Sequence, residues 1–315
     1  MPPSSSLKVI NAIVTLRQFV CEQRRNDANL CVALVPTMGA LHQGHLQLVH
    51  QARAHHQHEN DGFDQHTQSL VIVSIFVNPL QFGPNEDYER YPRTLNADLA
   101  KLDGIADCAF VPDIEKMFGA KHSNAGMESV GVKAGRIGPV LEGASRPLYH
   151  DGMLTHVAKL FNIVQPDVAF FGKKDAQQLF AIQQMVSSLN FPVRIVPVDT
   201  LREQDGLALS SRNRYLSNTE RQHSLYLFNM LAEARNVAKS GAKLATVMAQ
   251  ANKMLDEAEL RDILRKDYLA VVDPNTFESL ESVNMEQFNG TALILVAAFV
   301  GGTRLIDNIE VDING

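Results

Sequence analysis

The sequence predicts an α/β fold, with a Rossmann-like parallel sheet domain over residues 1–198 and a smaller C-terminal α+β domain over residues 199–315. Short runs rich in valine and leucine alternate with segments of helical spacing, which is typical of a parallel sheet covered on both faces. Most of these runs end near glycine or proline. After about Asp199 this alternation gives way to long helical segments, which indicates a second domain.

The apolar runs of the first domain are predicted to be its strands. In chain order they are CVALVPTMGA, SLVIVSIFV, ADCAFVPD, DVAFFG and VRIVPVDT. Helices are predicted between them, for example in HLQLVHQARAHH, where Leu46, Val49 and Ala52 recur near helical spacing. The other predicted helices are NADLAKL, THVAKLFNIV and DAQQLFAIQQMVSSLN.

The second domain opens with a helix whose start is marked by a capping box, Ser217 at the N-cap and Glu220 three residues later. Gly241 is expected to end this helix. A further helix and the strands DYLAVVD and ALILVAAFV follow. Because ALILVAAFV is too short to span a bilayer, we interpret it as a buried strand and expect no membrane association.

The bulk composition excludes several classes of protein. The formal net charge of −6 is unlike that of a protein that holds nucleic acid by its phosphates, so no nucleic-acid partner is expected. Three widely spaced cysteines contain no C-x-x-C and predict neither a disulfide framework nor a zinc ribbon. With no basic, apolar signal sequence at the start, we expect a cytoplasmic protein. The histidine-rich segment His55–His66 lacks regular ligand spacing and is predicted to be a solvated surface loop.

The most informative stretch is VPTMGALHQGHLQLVH, from Val35 to His50. An apolar strand followed by a glycine-bearing loop and a helix is the geometry of a phosphate site, since a helix N-terminus offers unpaired N–H groups. Gly44 allows close approach of a ligand, and His42 and His45 can donate ring hydrogen bonds to phosphate oxygens. The alternative is that one histidine caps the helix and the other is exposed.

This stretch and four others resemble the pantoate–β-alanine ligase family, within the larger H-x-G-H group of nucleotidyl-transfer enzymes. The others are IFVNPLQFGPNEDYERYPRT, KLFNIVQPDVAFFGKKDAQQL, LREQDGLALSSRNRYLS and GTRLIDNIEV, in the order found in the family. The resemblance implies ATP-dependent joining of pantoate and β-alanine through pantoyl adenylate, with release of AMP and pyrophosphate. It also implies a homodimer.

The resemblance implies a role for each residue that matches a family motif. ATP is expected along Met38, Gly39, Ala40, Leu41, His42, Gln43, Gly44, His45, Gly172, Lys173, Lys174, Asp175, Leu201, Leu209, Ser210, Ser211 and Arg212. Catalytic roles are expected for His45, His42, Lys174 and Arg212. Asp175 is the expected Mg²⁺ contact, direct or through water. The second domain is expected to close over the active site.

The resemblance also implies that Gln81 and Gln178 bind pantoate, and an amide suits this role since it both donates and accepts hydrogen bonds. Arg146 is a further residue expected to face the site. The family pattern differs at several positions of this chain. Tyr149 and His150 stand where the family usually has histidine and phenylalanine, His156 occupies a usually apolar helix position, and Lys173 replaces an acidic or amide residue.

Three other interpretations are open from sequence. A nucleotidylyltransferase would share H-x-G-H but lack the two glutamines. A tRNA-charging enzyme is disfavoured because no basic or anticodon-binding region is evident. A non-catalytic nucleotide-binding regulator is disfavoured because the phosphate-facing residues are retained together.

Overall fold

A computed structural model gives the structure of the chain. It describes residues 7–55, 69–84, 86–119 and 130–314. Apart from His55, the predicted surface loop His55–His66 lies outside the described residues.

The chain divides into two compact units. The first comprises Met1–Lys173 and Gln178–Asp199, and the second comprises Lys174–Gln177 and Thr200–Gly315. The four residues Lys174–Gln177 thus cluster with the chain that follows Asp199. One physical reason is a hydrogen bond of 2.7 Å from Asn308 Nδ2 to the Lys174 carbonyl oxygen.

The first unit is built on a parallel six-stranded sheet, which confirms the predicted α/β class. Its strands are β1 Lys8–Ile10, β2 Cys31–Thr37, β3 Ser69–Ile75, β4 Cys108–Phe110, β5 Val168–Gly172 and β6 Arg194–Val198. They lie in the order β1-β4-β3-β2-β5-β6, and every pairing is parallel. Strand β1 was not predicted, because three residues are too few to show an apolar pattern.

Helices cover both faces of this sheet. The helices before Asp199 are α1 Ile13–Asn26, α2 Gln43–Ala54, α3 Leu95–Leu102, α4 Ile114–Phe118, α5 Glu142–Ser145, α6 Tyr149–Val164 and α7 Ala176–Ser188. Ala33 and Val35 of β2 pack in one core cluster with Val49 of α2. Their neighbours Val32 and Leu34 point to the opposite face and are also fully buried, as a doubly covered strand requires.

The second unit is a smaller α+β fold, as predicted. Its elements are α8 Asn218–Lys239, α9 Leu244–Leu260, β7 Arg265–Val272, β8 Gly290–Val300 and β9 Thr303–Ile313. The three strands form an antiparallel sheet in the order β7-β8-β9. The predicted capping box is present, since Ser217 Oγ accepts from the Glu220 N–H and the Glu220 carboxylate accepts from the Ser217 N–H.

The third strand, β9, was not predicted from the sequence. Its alternate residues are buried on the core side of the second unit, and two of them are polar, Thr303 and Asp307. Within the part of the chain that the structure describes, none of the helices combines the length and apolar character needed to cross a membrane.

Candidate active site

The predicted phosphate loop lies at the point where the strand order of the sheet reverses. From β2 the chain passes to β3 on one side, whereas β5 pairs with β2 on the other side. In open α/β sheets, ligands bind outside the carboxyl ends of the strands at such a switch point. The H-x-G-H stretch follows the carboxyl end of β2 and therefore lies where open α/β sheets usually bind a ligand.

The backbone of this loop is bent sharply between β2 and α2. Gly39 has φ +76° and Ala40 has φ +49°, both in the left-handed region that ordinary side chains avoid. A Cβ atom on Gly39 would lie 3.1 Å from Ile75 Cγ2 and 3.2 Å from an oxygen of Asp98. Both the backbone conformation and the lack of space therefore favour glycine at position 39. The strained conformation of Ala40 requires other residues to stabilise it.

Asp98 and Lys101 of α3, which we call the loop clamp, hold this strained backbone. The Asp98 carboxylate is buried and accepts hydrogen bonds from the N–H groups of Ala40 and Leu41, each at 2.8 Å. Lys101 Nζ donates to the Leu41 carbonyl oxygen at 2.5 Å. A carboxylate and an ammonium group thus hydrogen-bond to neighbouring main-chain groups of the loop. Such charge-assisted hydrogen bonds are stronger than those between neutral groups.

The two histidines form the N-terminal cap of α2. His42 is the N-cap residue, and its Nδ1 accepts from the Gly44 N–H at 3.2 Å, while His45 Nδ1 accepts from the His42 N–H at 3.3 Å. The ring centroids lie 4.0 Å apart. Because each Nδ1 acts as an acceptor, each neutral ring carries its proton on Nε2. Capping and ligand binding are therefore compatible, because the tautomer that caps through Nδ1 is the one that can donate from Nε2 to a phosphate oxygen.

Gln81 lies just beyond β3, in a short turn of 3-10 helix. It is buried, and its Oε1 accepts from Nδ2 of the fully buried Asn78 at 2.9 Å. Asn78 Nδ2 also donates to the Gly152 carbonyl oxygen of α6 at 3.1 Å. Arg146 Nη2 donates to the Gln81 carbonyl oxygen at 2.9 Å. The structure therefore places Gln81 inside the first unit and not on its surface.

Gln178, the second predicted substrate residue, lies in the first turns of α7, after β5. Its Oε1 accepts from the Tyr149 hydroxyl at 2.9 Å. The Arg146 guanidinium lies 3.8 Å from the centre of the Tyr149 ring. Arg146 also forms an ion pair with Glu86, with a shortest distance of 2.6 Å. Sequence resemblance pointed to Arg146 but not to Glu86 or Asn78, whose roles depend on contacts across the fold.

The stretch after β5 has two neighbouring lysines with different surroundings. Lys173 forms an ion pair of 2.7 Å with Asp199, and the two side chains are 42% and 82% exposed. Such exposed pairs contribute little to stability. Lys174 is mostly buried, and its Nζ lies 4.0 Å from the Asp175 carboxylate, which is 42% exposed. Lys174 is therefore the cation with the more restricted position.

Within the second unit, Leu201 and the stretch Leu209–Arg212 are brought together. The Leu209 N–H donates to the Leu201 carbonyl oxygen at 3.0 Å, and Ser210 caps the 3-10 turn Ser211–Tyr215. Arg202, beside Leu201, forms a double hydrogen bond with Asp307 of β9, at 2.5 and 2.8 Å.

The GTRLIDNIEV stretch therefore acts as an anchor in the second unit. Asp307 holds Arg202, and its neighbour Asn308 holds the Lys174 carbonyl oxygen. The sequence pattern contained a signal for this role, because Asp307 is a charged residue at a core-facing position of an alternating strand. Asp98 shows the same signal, since it lies four residues before the buried Leu102 on the inner side of α3.

The two unusual histidines of α6 are both buried. Burial lowers the pKa of His150, and it lowers the pKa of His156 to about 3, with a smaller contribution from the charge of Lys159. The His156 ring stacks on Phe76 at a centroid distance of 5.0 Å. His156 therefore behaves as an apolar, neutral ring at neutral pH.

No cluster of three or more histidine, cysteine or acidic side chains that could hold a metal ion occurs among the described residues. Asp175 offers a carboxylate that is 42% exposed, which is the kind of ligand that Mg²⁺ takes together with the phosphates of its substrate.

The fold and the loop at its switch point define a class, the α/β proteins that carry H-x-G-H at the start of the helix after a central strand. Within that class, the chain belongs to the pantoate–β-alanine ligase family, whose model matches residues 8–310. The chain is 48% identical over 307 residues to the pantothenate synthetase of Leifsonia xyli subsp. xyli (strain CTCB07), covering 95% of this chain and 98% of that protein.

Solved structures agree with this assignment. The pantothenate synthetase from Thermus thermophilus superposes with a TM-score of 0.82 at 38% identity, covering 98% of this chain and all of that one. The pantoate-β-alanine ligase from Francisella tularensis, solved in complex with β-γ ATP and β-alanine, superposes with a TM-score of 0.70 at 28% identity. That comparison covers 96% of this chain and 97% of the other.

Proposed function

We propose that this chain joins pantoate to β-alanine at the expense of ATP, forming pantothenate, AMP and pyrophosphate. The observation that carries the proposal is the clamped H-x-G-H turn at the switch point of a chain that matches the ligase family over residues 8–310. The function also accounts for the paired glutamines, which a plain nucleotidylyltransferase would not need.

The reaction has two steps. A carboxylate oxygen of pantoate attacks the α-phosphorus of ATP, and the bond to pyrophosphate breaks. The amine of β-alanine then attacks the acyl carbon of pantoyl adenylate and loses a proton, while AMP leaves with the bonding electron pair. Activation is necessary because a free carboxylate would have to expel oxide, a far poorer leaving group than AMP.

The histidines act at the first step. His42 and His45 donate from Nε2 to phosphate oxygens whose negative charge grows as pyrophosphate leaves. The loop that carries them, Met38–His45, leads into the N-terminus of α2, where the helix dipole favours an anion. The hydrogen bonds to Nδ1 support this role, because they hold the proton of each ring on the nitrogen that the role requires.

The remaining predicted residues serve the triphosphate and pantoate. Lys174 and Arg212 neutralise phosphate charge, Ser210 and Ser211 donate from their hydroxyls, and Leu201 contacts the nucleotide through its backbone. Gly172, Lys173, Asp175 and Leu209 complete the ATP contacts. Gln81 and Gln178 bind pantoate. Asp175 would hold Mg²⁺ together with phosphate oxygens, and the bound ion would offset their charge.

Two further properties belong to the same proposal. The active enzyme is a homodimer, which we infer from the family resemblance, and light scattering of the purified protein tests it. It works in the cytoplasm, which is consistent with the scattered cysteines Cys21, Cys31 and Cys108, since the three are free in the structure.

The test is AMP formation by the purified chain with each substrate omitted in turn. We expect AMP only when ATP, pantoate and β-alanine are all present at steady state. His45→Ala should reduce the rate about 10²- to 10³-fold, as does loss of one transition-state donor, whereas His50→Ala, on the exposed side of the same helix, should not. AMP formation that ignores pantoate would contradict the proposal.

A further inference from the structure

The two glutamines share a feature that goes beyond their expected contact with the substrate. In each side chain the amide oxygen already accepts a hydrogen bond from a neighbouring residue of the protein. Asn78 Nδ2 donates to Gln81 Oε1, and the Tyr149 hydroxyl donates to Gln178 Oε1, both at 2.9 Å. An amide whose oxygen is engaged in this way turns its NH₂ group toward whatever else it meets.

Arg146 contacts the surroundings of both glutamines. Its Nη2 donates to the main-chain carbonyl oxygen of Gln81 at 2.9 Å, and its guanidinium lies 3.8 Å from the centre of the Tyr149 ring. The Glu86 carboxylate fixes this guanidinium with bonds of 2.6 to 3.1 Å, and the Arg146 side chain is only 13% exposed. The Tyr149 ring therefore packs against a guanidinium that its ion pair with Glu86 holds in place.

Tyr149 is well suited to hold the Gln178 side chain in one position. Its hydroxyl donates to Gln178 Oε1 at 2.9 Å, and in this arrangement the amide oxygen is engaged and the NH₂ group is left for a ligand. The Tyr149 ring has few internal rotations to lose, so it holds its hydroxyl at little entropic cost. Gln178, by contrast, is a flexible side chain at the start of a helix.

We propose that Tyr149 is a positioning residue that holds the Gln178 side chain through its amide oxygen, so that Gln178 and Gln81 together present two NH₂ groups to the substrate. A pair of donors selects oxygen acceptors, above all a carboxylate, and disfavours a neutral amide at the same place because donor would meet donor. This inference rests on the proposed function, since it assumes that both glutamines contact pantoate.

The experiment measures steady-state kinetics of Tyr149→Phe, which removes the hydroxyl and keeps the ring beneath Arg146. We expect the KM for pantoate to rise about tenfold, the value for one lost orienting hydrogen bond. The KM for ATP should stay within about twofold of the wild type. Tyr226→Phe, at a tyrosine that packs on the core of the second unit, is the matched control and should leave both values unchanged.

A double-mutant cycle separates positioning from a structural role. Gln178→Ala should raise the KM for pantoate, and adding Tyr149→Phe to it should raise that KM no further, because the hydroxyl acts only through the amide. Tyr149→His, which restores a ring N–H donor, should recover part of the affinity.

Two results would overturn the inference. One is additive effects of Tyr149→Phe and Gln178→Ala, and the other is an equal rise of the KM values for ATP and pantoate together with a lower melting temperature. Failure of the proposed function would look different, because the wild type itself would then form AMP without pantoate or not at all.

Discussion

Asp98→Asn tests whether the loop clamp sets the geometry of the phosphate site. Asparagine keeps the size of Asp98 but offers one acceptor oxygen in place of two, so its NH₂ group faces one of the N–H groups of Ala40 and Leu41. Losing one charge-assisted hydrogen bond to a buried N–H costs about 1.5–3 kcal/mol. Because Asp98 is 1% exposed, water cannot replace the missing acceptor. We therefore expect the free energy of unfolding to fall by about 3 kcal/mol.

Activity should fall further than stability alone explains. Ala40 is held in the left-handed region, and a freed loop would relax and move His42 and His45. A displacement of about 1 Å at a reacting centre can reduce a rate about 10²-fold. The assay is pantoate-dependent pyrophosphate release, measured well below the melting temperature of the variant, with urea unfolding beside it. Asp103→Asn, at the exposed end of the same helix, is the control. Wild-type stability and rate in Asp98→Asn would refute the reasoning.

Three further predictions follow from the described contacts. Gly39→Ala and Gly104→Ala should each lose about 1–2 kcal/mol of stability, because each places alanine in a left-handed backbone conformation. Only Gly39→Ala should lose activity, because Gly104 has open space around it. Equal activities of the two variants would contradict this. Lys174→Ala should fold normally and form adenylate about 30- to 1000-fold more slowly. Lys266→Ala is the control and should keep the wild-type rate. Unchanged pyrophosphate release in Lys174→Ala would remove Lys174 from the site. The difference in free energy of unfolding between His156→Phe and the wild type should be about 2 kcal/mol more favourable to the variant at pH 5 than at pH 7. Urea unfolding at the two pH values measures it. The sign follows from the lowered pKa of His156, since its unfolded form binds a proton between about pH 6.5 and 3 and the folded form does not; a pH-independent difference would contradict it.

The sequence was most informative where local pattern decides structure. The strands β2 and β3 are continuous apolar runs, and the capping box of α8 is a local signal, so their positions could be predicted. The strand β1 could not, because its three residues depend on pairing with the distant β4.

The site shows the same division. The residues of H-x-G-H and the two glutamines belong to motifs and were predicted from the sequence. Their supports, Asp98, Asn78 and Asp307, were not predicted. Asp98 binds the main chain 57 positions away and Asp307 binds an arginine 105 positions away, and no local pattern shows which groups such contacts join. A charged residue at a core-facing position was the signal for Asp98 and Asp307. Asn78 is identified only by its contacts.

The most direct test of the account is the fate of ATP when pantoate is present and β-alanine is absent. If the site activates the carboxylate first, the purified enzyme should release about one pyrophosphate per active site. It should also catalyse positional exchange of ¹⁸O in ATP while the adenylate stays bound, and His45→Ala should slow both processes. Neither exchange nor a pyrophosphate burst until β-alanine is added would show a concerted reaction and contradict the account.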